Sequence, residues 1–286
     1  MGLVHSFTFV RDAAIVAALA AFPLAAGAQQ VFTATGAAAD MQPQLGAFRA
    51  SLGGALNPNV PGSFGAGRRE INWDAVPDAF SAPNAFPGDF FNQNFSPRAR
   101  GAAFSTPGSG FSVSADDTNP ANAPRDFADI NPSYGAEFDA FSPQRLFTAI
   151  GSTITDVRFF VPGTTTTATT RGFGVVLSDV DLANVSGLQL FDVNDNLLHS
   201  QFAPATLGSG SFSFVGVSFD SAIIARARII SGTHALSAGF NEDPLNAAQA
   251  TDAVAMDDFI YGEPIPAPAG LLAALGGLGM LSRRRR

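Results

Sequence analysis

Paired aspartates are the residues of this chain that come nearest to a chemistry. Asp179 and Asp181 stand in Ser-Asp-Val-Asp, and Asp257 and Asp258 in Met-Asp-Asp-Phe, each within or beside a stretch of strand character. Calcium takes several hard oxygen ligands, so acids converging from strand ends are natural donors to it. In a strand of period two, Asp257 and Asp258 point to opposite faces, which turns one of them inward or into a rim. An inward carboxylate without a partner is costly and needs an arginine or a cation. Asp116 and Asp117 form a further acidic rim. The alternative for all of these is solvated or arginine-paired acids at strand ends. Asp192, Asn194 and Asn196 also open like the D-x-N-x-N of a calcium loop. There the position that requires glycine is Leu197 and the twelfth is Ala203, so a hairpin turn is the better reading.

Other chemistries leave less trace. The chain has no cysteine, which removes disulfides, thiol nucleophiles and thiolate metal sites. No Gly-x-Ser-x-Gly elbow, P-loop, His-Glu-x-x-His or dinucleotide fingerprint occurs. Past residue 28 the only histidines are His199 and His234, and no spacing joins either to a serine and an acid; His199 reads as a strand-face residue. A glycosidase needs two carboxyls facing across a cleft. Glu70, Glu137, Glu242 and Glu263 are the glutamates available, and spacing along the chain does not say which would converge. Trp73, the sole tryptophan, would be a sugar-stacking platform if exposed; beside Ile71 and Val76 in an alternating stretch it reads better as core. Residues 29–282 carry 11 arginines, no lysine and 23 acids. That surplus of negative charge excludes a nucleic-acid footprint.

The elements that would position these residues are strands. Hydrophobic residues make up 46% of the chain, enough for a core, and phenylalanine (27) far outnumbers tyrosine (2). Alternating or β-rich runs recur at 111–115, 155–161, 172–182, 187–192, 197–202, 211–219, 225–232 and 254–262. Runs of this length separated by turn residues predict an all-β, jelly-roll-like antiparallel β-sandwich. "SFSFVGVSF" (211–219) is expected to turn Phe212 and Phe214 inward and then, after a slip at Gly216, Val217 and Phe219. One short helix is expected around residues 41–54, with Leu45, Phe48 and Leu52 on one face. Arg68, Arg69 and Glu70 read as a solvated approach to the first strand.

Both ends read as addresses. An apolar stretch at 13–26 closes on Ala26-Gly27-Ala28, a small-x-small cleavage site that would leave Gln29 as the first residue. The chain finishes with a proline motif (Pro264, Pro266, Pro268), an apolar run at 271–281 and the block Arg283, Arg284, Arg285 and Arg286. Counted from 265, the apolar part is near the lower limit for a membrane span, and the basic block would stay cytoplasmic. The expected organisation is a signal peptide at 1–28, a loop-rich segment at 29–69, the β-sandwich at 70–263 and a tail at 264–286.

The order proline motif, apolar helix, arginine cluster resembles the PEP-CTERM sorting signal of Gram-negative bacteria, a segment also known as an ice-binding-protein C-terminal domain. The resemblance covers about 24 residues, and Glu263-Pro264-Ile265-Pro266-Ala267-Pro268 stands where the family has Pro-Glu-Pro. It implies signal peptidase and a membrane protease, exosortase, as processing partners, and a transient hold on the membrane through the C-terminal helix. "REINWDAVPDAF" and "DVDLANVSGLQLFDVNDNLL" are similar to segments of exported bacterial proteins that carry no assigned activity. The last strand resembles those of jelly-roll carbohydrate-binding modules, where an aspartate commonly holds structural calcium. The expected function is a non-catalytic envelope, extracellular-matrix or biofilm protein. A calcium-assisted module binding extracellular polysaccharide is the second expectation, and a glycan-acting enzyme the third. Ice binding ranks below these, because the one threonine run, 164–170, is isolated.

Overall fold

The computed structural model describes residues 28–246 and 248–268. The expected signal helix and C-terminal apolar helix, with Ala26 and Arg283, Arg284, Arg285 and Arg286, lie outside the described residues. In chain order the elements are β1 (Gln29–Gly36), α1 (Ala38–Ser51), β2 (Arg68–Ile71), β3 (Ala102–Ser105), β4 (Gly110–Val113), α2 (Tyr134–Glu137), β5 (Phe147–Ile150), β6 (Ile154–Phe159), β7 (Ala168–Thr169), β8 (Gly172–Ser178), β9 (Gly187–Phe191), β10 (Leu197–Phe202), β11 (Phe212–Phe219), β12 (Arg226–Ile230), β13 (Ala255–Gly262) and β14 (Ile265–Pro266). Among the described residues no helix is long and apolar enough to cross a membrane.

Alternation of apolar side chains lets a strand bury one face, and here two sheets bury theirs against each other. The larger runs β1–β11–β8–β13–β5–β4, with β2 also beside β13; the smaller runs β10–β9–β12–β6–β3. All pairings within them are antiparallel. The shared core sets Phe173, Val175 and Leu177 of β8, Val215 and Val217 of β11, and Phe259 and Tyr261 of β13 against Val157, Phe159, Leu188, Leu190, Ala227 and Ile229. This is an antiparallel β-sandwich.

The larger sheet is covered on its other face too. Met41, Leu45 and Phe48 of α1, with Leu52 just past its end, pack on Val176, Phe212, Phe214 and Ile260. Hence β8, β11 and β13 are buried at every position. This corrects the expected slip in β11. Its register with β1 and β8 is unbroken, and period two simply sends Phe212 and Phe214 to the helix and Val215, Val217 and Phe219 to the opposite sheet. Gly174 and Gly216 pair across β8 and β11 beneath the ring of Phe48. A Cβ at Gly174 would lie 2.7 Å from Phe48 Cε1, so bare backbone is what lets the ring sit down on the sheet.

The segment 29–69, expected to be loop-rich, is part of the sandwich. β1 pairs along its whole length with β11, and α1 closes the second core. Arg69 is another correction. Rather than being solvated, its side chain is fully buried and clasps Glu263 through Nε at 2.7 Å and Nη2 at 2.9 Å. Asn57 Nδ2 and the Phe64 N–H also donate to Glu263, so this ion pair ties the 57–69 connection to the end of β13.

Phe48→Ala should empty the socket above the two glycines and lower stability by about 3–5 kcal/mol in denaturant titration. Gly174→Ala should destabilise by itself but add little to Phe48→Ala, because the smaller side chain makes room for the methyl. Strict additivity would show that the ring does not rest on the glycine pair.

Candidate cation site

The four aspartates expected to bind metal do not converge on one site. Asp179 follows β8 in the left-handed conformation (φ 69°), and its backbone N–H donates to Ser211 O at 2.8 Å. The turn directs its carboxylate away from the sheet toward α2 and the long connection between β12 and β13. Glu137 comes from the end of α2 and Glu242 from that connection. Oxygens of Glu137, Asp179 and Glu242 lie within 4.8 Å of one another. Asp179 is 0% exposed, and among the described residues no N–H or hydroxyl donor reaches either of its oxygens, whose polar neighbour is the Glu242 carboxyl.

Asp181 lies beside this group rather than in it. Its Oδ1 accepts from the Gly208 N–H at 2.8 Å, and Asp252 accepts from the Leu182 N–H at 3.1 Å. Glu242 Oε2 accepts from the Ala253 N–H at 2.8 Å. Outside Asp179 the cluster opens on a shallow pocket lined by Glu137, Asp181, Glu242, Leu207, Gly208 and Leu245. Burial, then the charges of Asp181, Glu137 and Asp252, pushes Asp179 up to about 8. Burial, then Glu137 and Asp179, likewise raises Glu242, and burial takes Asp252 up to about 6. Among the described residues no arginine forms an ion pair with Glu137, Asp179 or Glu242.

Asp257 and Asp258 form a separate arrangement. Between Met256 and Phe259, β13 advances three residues while β8 advances two, from Leu177 to Val175. This bulge breaks the expected alternation, and both aspartates are buried on one side. Asp257 accepts from the Phe141 N–H at 2.6 Å and from Ser142 Oγ at 2.9 Å. Asp258 Oδ2 stands 4.0 Å from Arg49 Nη2, and its Oδ1 has no partner. Burial first, then the adjacent charge of Asp258, raises Asp257 well above the usual range, and burial raises Asp258 as well. Two carboxyls so placed disfavour double ionisation and favour a shared proton. Asp74 nearby is pushed up to about 6, mainly by burial, while Glu70 is held low by Arg49 and Arg68 against its burial.

Trp73 is core, 1% exposed, with its ring stacked at 4.0 Å on Phe147 and its Nε1–H donating to Asp257 O. A buried indole is no sugar platform. His234 stacks on Phe240 and its Nδ1 meets Thr233 Oγ1, whereas His199 Nε2 has no partner. The hairpin reading of 192–196 holds: Asp192 Oδ1 accepts from the Asn194 and Asn196 N–H groups between β9 and β10. Asp116 is held by Arg145 and Thr118.

Sequence reasoning thus found Asp179 but not its companions. Glu137 and Glu242 sit 42 residues before and 63 residues after it, in segments without periodicity. Their one signal was the scarcity of glutamate. Comparison with known proteins finds no matching family model, no matching curated protein and no matching solved structure.

An aspartate whose pKa is raised in the folded state binds its proton more tightly folded than unfolded. The stability such groups contribute is fully present in acid and is lost as pH climbs from the ordinary 3.8 through the folded-state values of Asp257 and Asp74, the latter about 6. Asp258→Asn gives Asp257 a permanent N–H donor and removes one of the facing charges, which also include Asp74, Glu70 and Arg49. It should flatten the decline of melting temperature between about pH 4 and 8 and add about 1 kcal/mol or more at the alkaline end. An unchanged slope would mean that the pair does not share a proton.

Proposed function

We propose that the chain is an exported, non-catalytic β-sandwich protein of jelly-roll kind, delivered to the envelope or extracellular matrix through its PEP-CTERM-like tail. The observation that carries this reading is the tail itself: Pro264, Pro266 and Pro268, then an apolar run, then four terminal arginines. Two features of the fold support it. β1 begins at Gln29, so a cut after Ala28 leaves its full pairing with β11 intact. At the other end Glu263 is anchored by Arg69, and β14 lies on β7, with Ile265 opposite Thr169 and the Ala267 N–H donating to Thr167 O at 3.0 Å. The folded body therefore spans the interval between the two processing points. The jelly-roll assignment draws support from the path of the chain, in which β8, β11 and β13 lie in one sheet and the intervening β9, β10 and β12 in the other.

In a host with an exosortase, intact mass and cell fractionation should find a released form ending near residues 264–268. It should be missing when the enzyme, or Arg283 to Arg286, is removed. Full-length protein held in the inner membrane of every strain would make the tail a plain anchor and overturn the sorting assignment.

A further inference from the structure

We propose that Glu137, Asp179 and Glu242 bind one calcium ion, and that the ion fastens the connection between β12 and β13 to the end of β8. The proposal goes beyond the export reading and does not depend on it.

The first support is the state of Asp179. A fully buried carboxylate with neither oxygen reached by an N–H or hydroxyl donor is a rare and costly arrangement. Ionised, it needs a positive partner, and among the described residues no arginine pairs with it or with the other two acids. Two further carboxylates aimed at the same point worsen the repulsion unless a cation stands among them. The fit in size is the second support. Calcium–oxygen distances are about 2.3–2.6 Å, so ligands on opposite sides of the ion are about 4.6–5.2 Å apart. Three oxygens within 4.8 Å of one another fall inside that sphere. The donors are all oxygen, which suits calcium and not zinc, whose protein sites favour histidine and cysteine. Calcium asks for six to eight ligands, and the open side of the cluster gives water access to the rest.

The third support is what the ion would hold. Residues between Ile230 of β12 and Ala255 of β13 form no strand or helix among those described. A connection of that length without structure of its own is uncommon in a compact domain. Its inner side is pinned by Leu236 and Ala253 on Phe127, Tyr134 and Phe138, and Glu242 reaches back from its outer part. Calcium would join that outer part to the body.

The test is calorimetric titration of the full-length chain with calcium chloride after chelator treatment, together with melting temperature and limited proteolysis. The expected result is one site, a melting temperature several degrees higher with calcium in about hundredfold excess over Kd, and slower cleavage within 231–254. Asp179→Asn separates binding from folding. It replaces a buried carboxyl that no donor reaches with a neutral amide of the same shape, so the calcium-free variant should melt no lower than the calcium-free parent, yet show at least a tenfold loss of calcium affinity. Asp258→Asn, at the other acid pair, should keep the full response. No calcium-dependent change in the parent, or an undiminished response in Asp179→Asn, would overturn the site. An equal response to magnesium chloride would overturn the assignment to calcium.

Discussion

A carboxylate taken out of water must be given a proton, a cation or several N–H donors, and this chain has few cations to give. Its body holds 11 arginines and no lysine against 23 acids. The arginines answer some of the buried and half-buried acids. Arg69 serves Glu263, Arg145 serves Asp116 and Asp78, Arg226 and Arg228 share Asp156, and Arg49 and Arg68 share Glu70. Asp257 and Asp252 are served by backbone N–H groups. Among the described residues that allocation leaves Glu137, Asp179 and Glu242 without an arginine, although Glu242 keeps the Ala253 N–H. The arrangement of charge therefore separates acids answered by arginine from a cluster that no arginine of the described residues answers.

The same economy shapes the hydrocarbon core. A sheet covered on one face by a second sheet and on the other by α1 offers water little of β8, β11 or β13. A polar group on these strands must find its partner inside the protein. Trp73 lies where this matters most, stacked on Phe147 and bonded to the backbone of Asp257 at the bulge. The bulge sets two carboxyls side by side, and the indole fixes the peptide that carries them. Aromatic packing and buried acid are thus one construction, and the strand irregularity joins them.

What could be read from the residues alone follows the range over which each signal acts. The β9–β10 hairpin was legible because its turn is local: Asp192 bonds to groups two and four residues on. The strands β4, β6, β8, β11, β12 and β13, and the helical face of Leu45, Phe48 and Leu52, were legible because periodicity needs only a few neighbours. The slip assigned to β11 arose from supposing one buried face where there are two. The opposed orientation of Asp257 and Asp258 failed because an inserted residue, invisible to a period-two count, brings them together. Arg69 and the meeting of Glu137 with Asp179 and Glu242 depend on contacts between segments tens to hundreds of residues apart, and composition, which marks glutamate as scarce, does not say which residues meet.

β13, flanked by β8 on one side and by β2 and β5 on the other, is the last long strand among the described residues and lies in the middle of the larger sheet. β1, the first strand, waits for β11, about 180 residues later, before it has any partner. A polypeptide delivered amino end first, from a ribosome or through a membrane pore, therefore has no sheet centre until residue 262 has emerged. Contacts of such long separation form slowly. The connectivity therefore makes closure of the larger sheet a late event, because β1 and β8 gain β11 and β13 as neighbours only from the far part of the described chain.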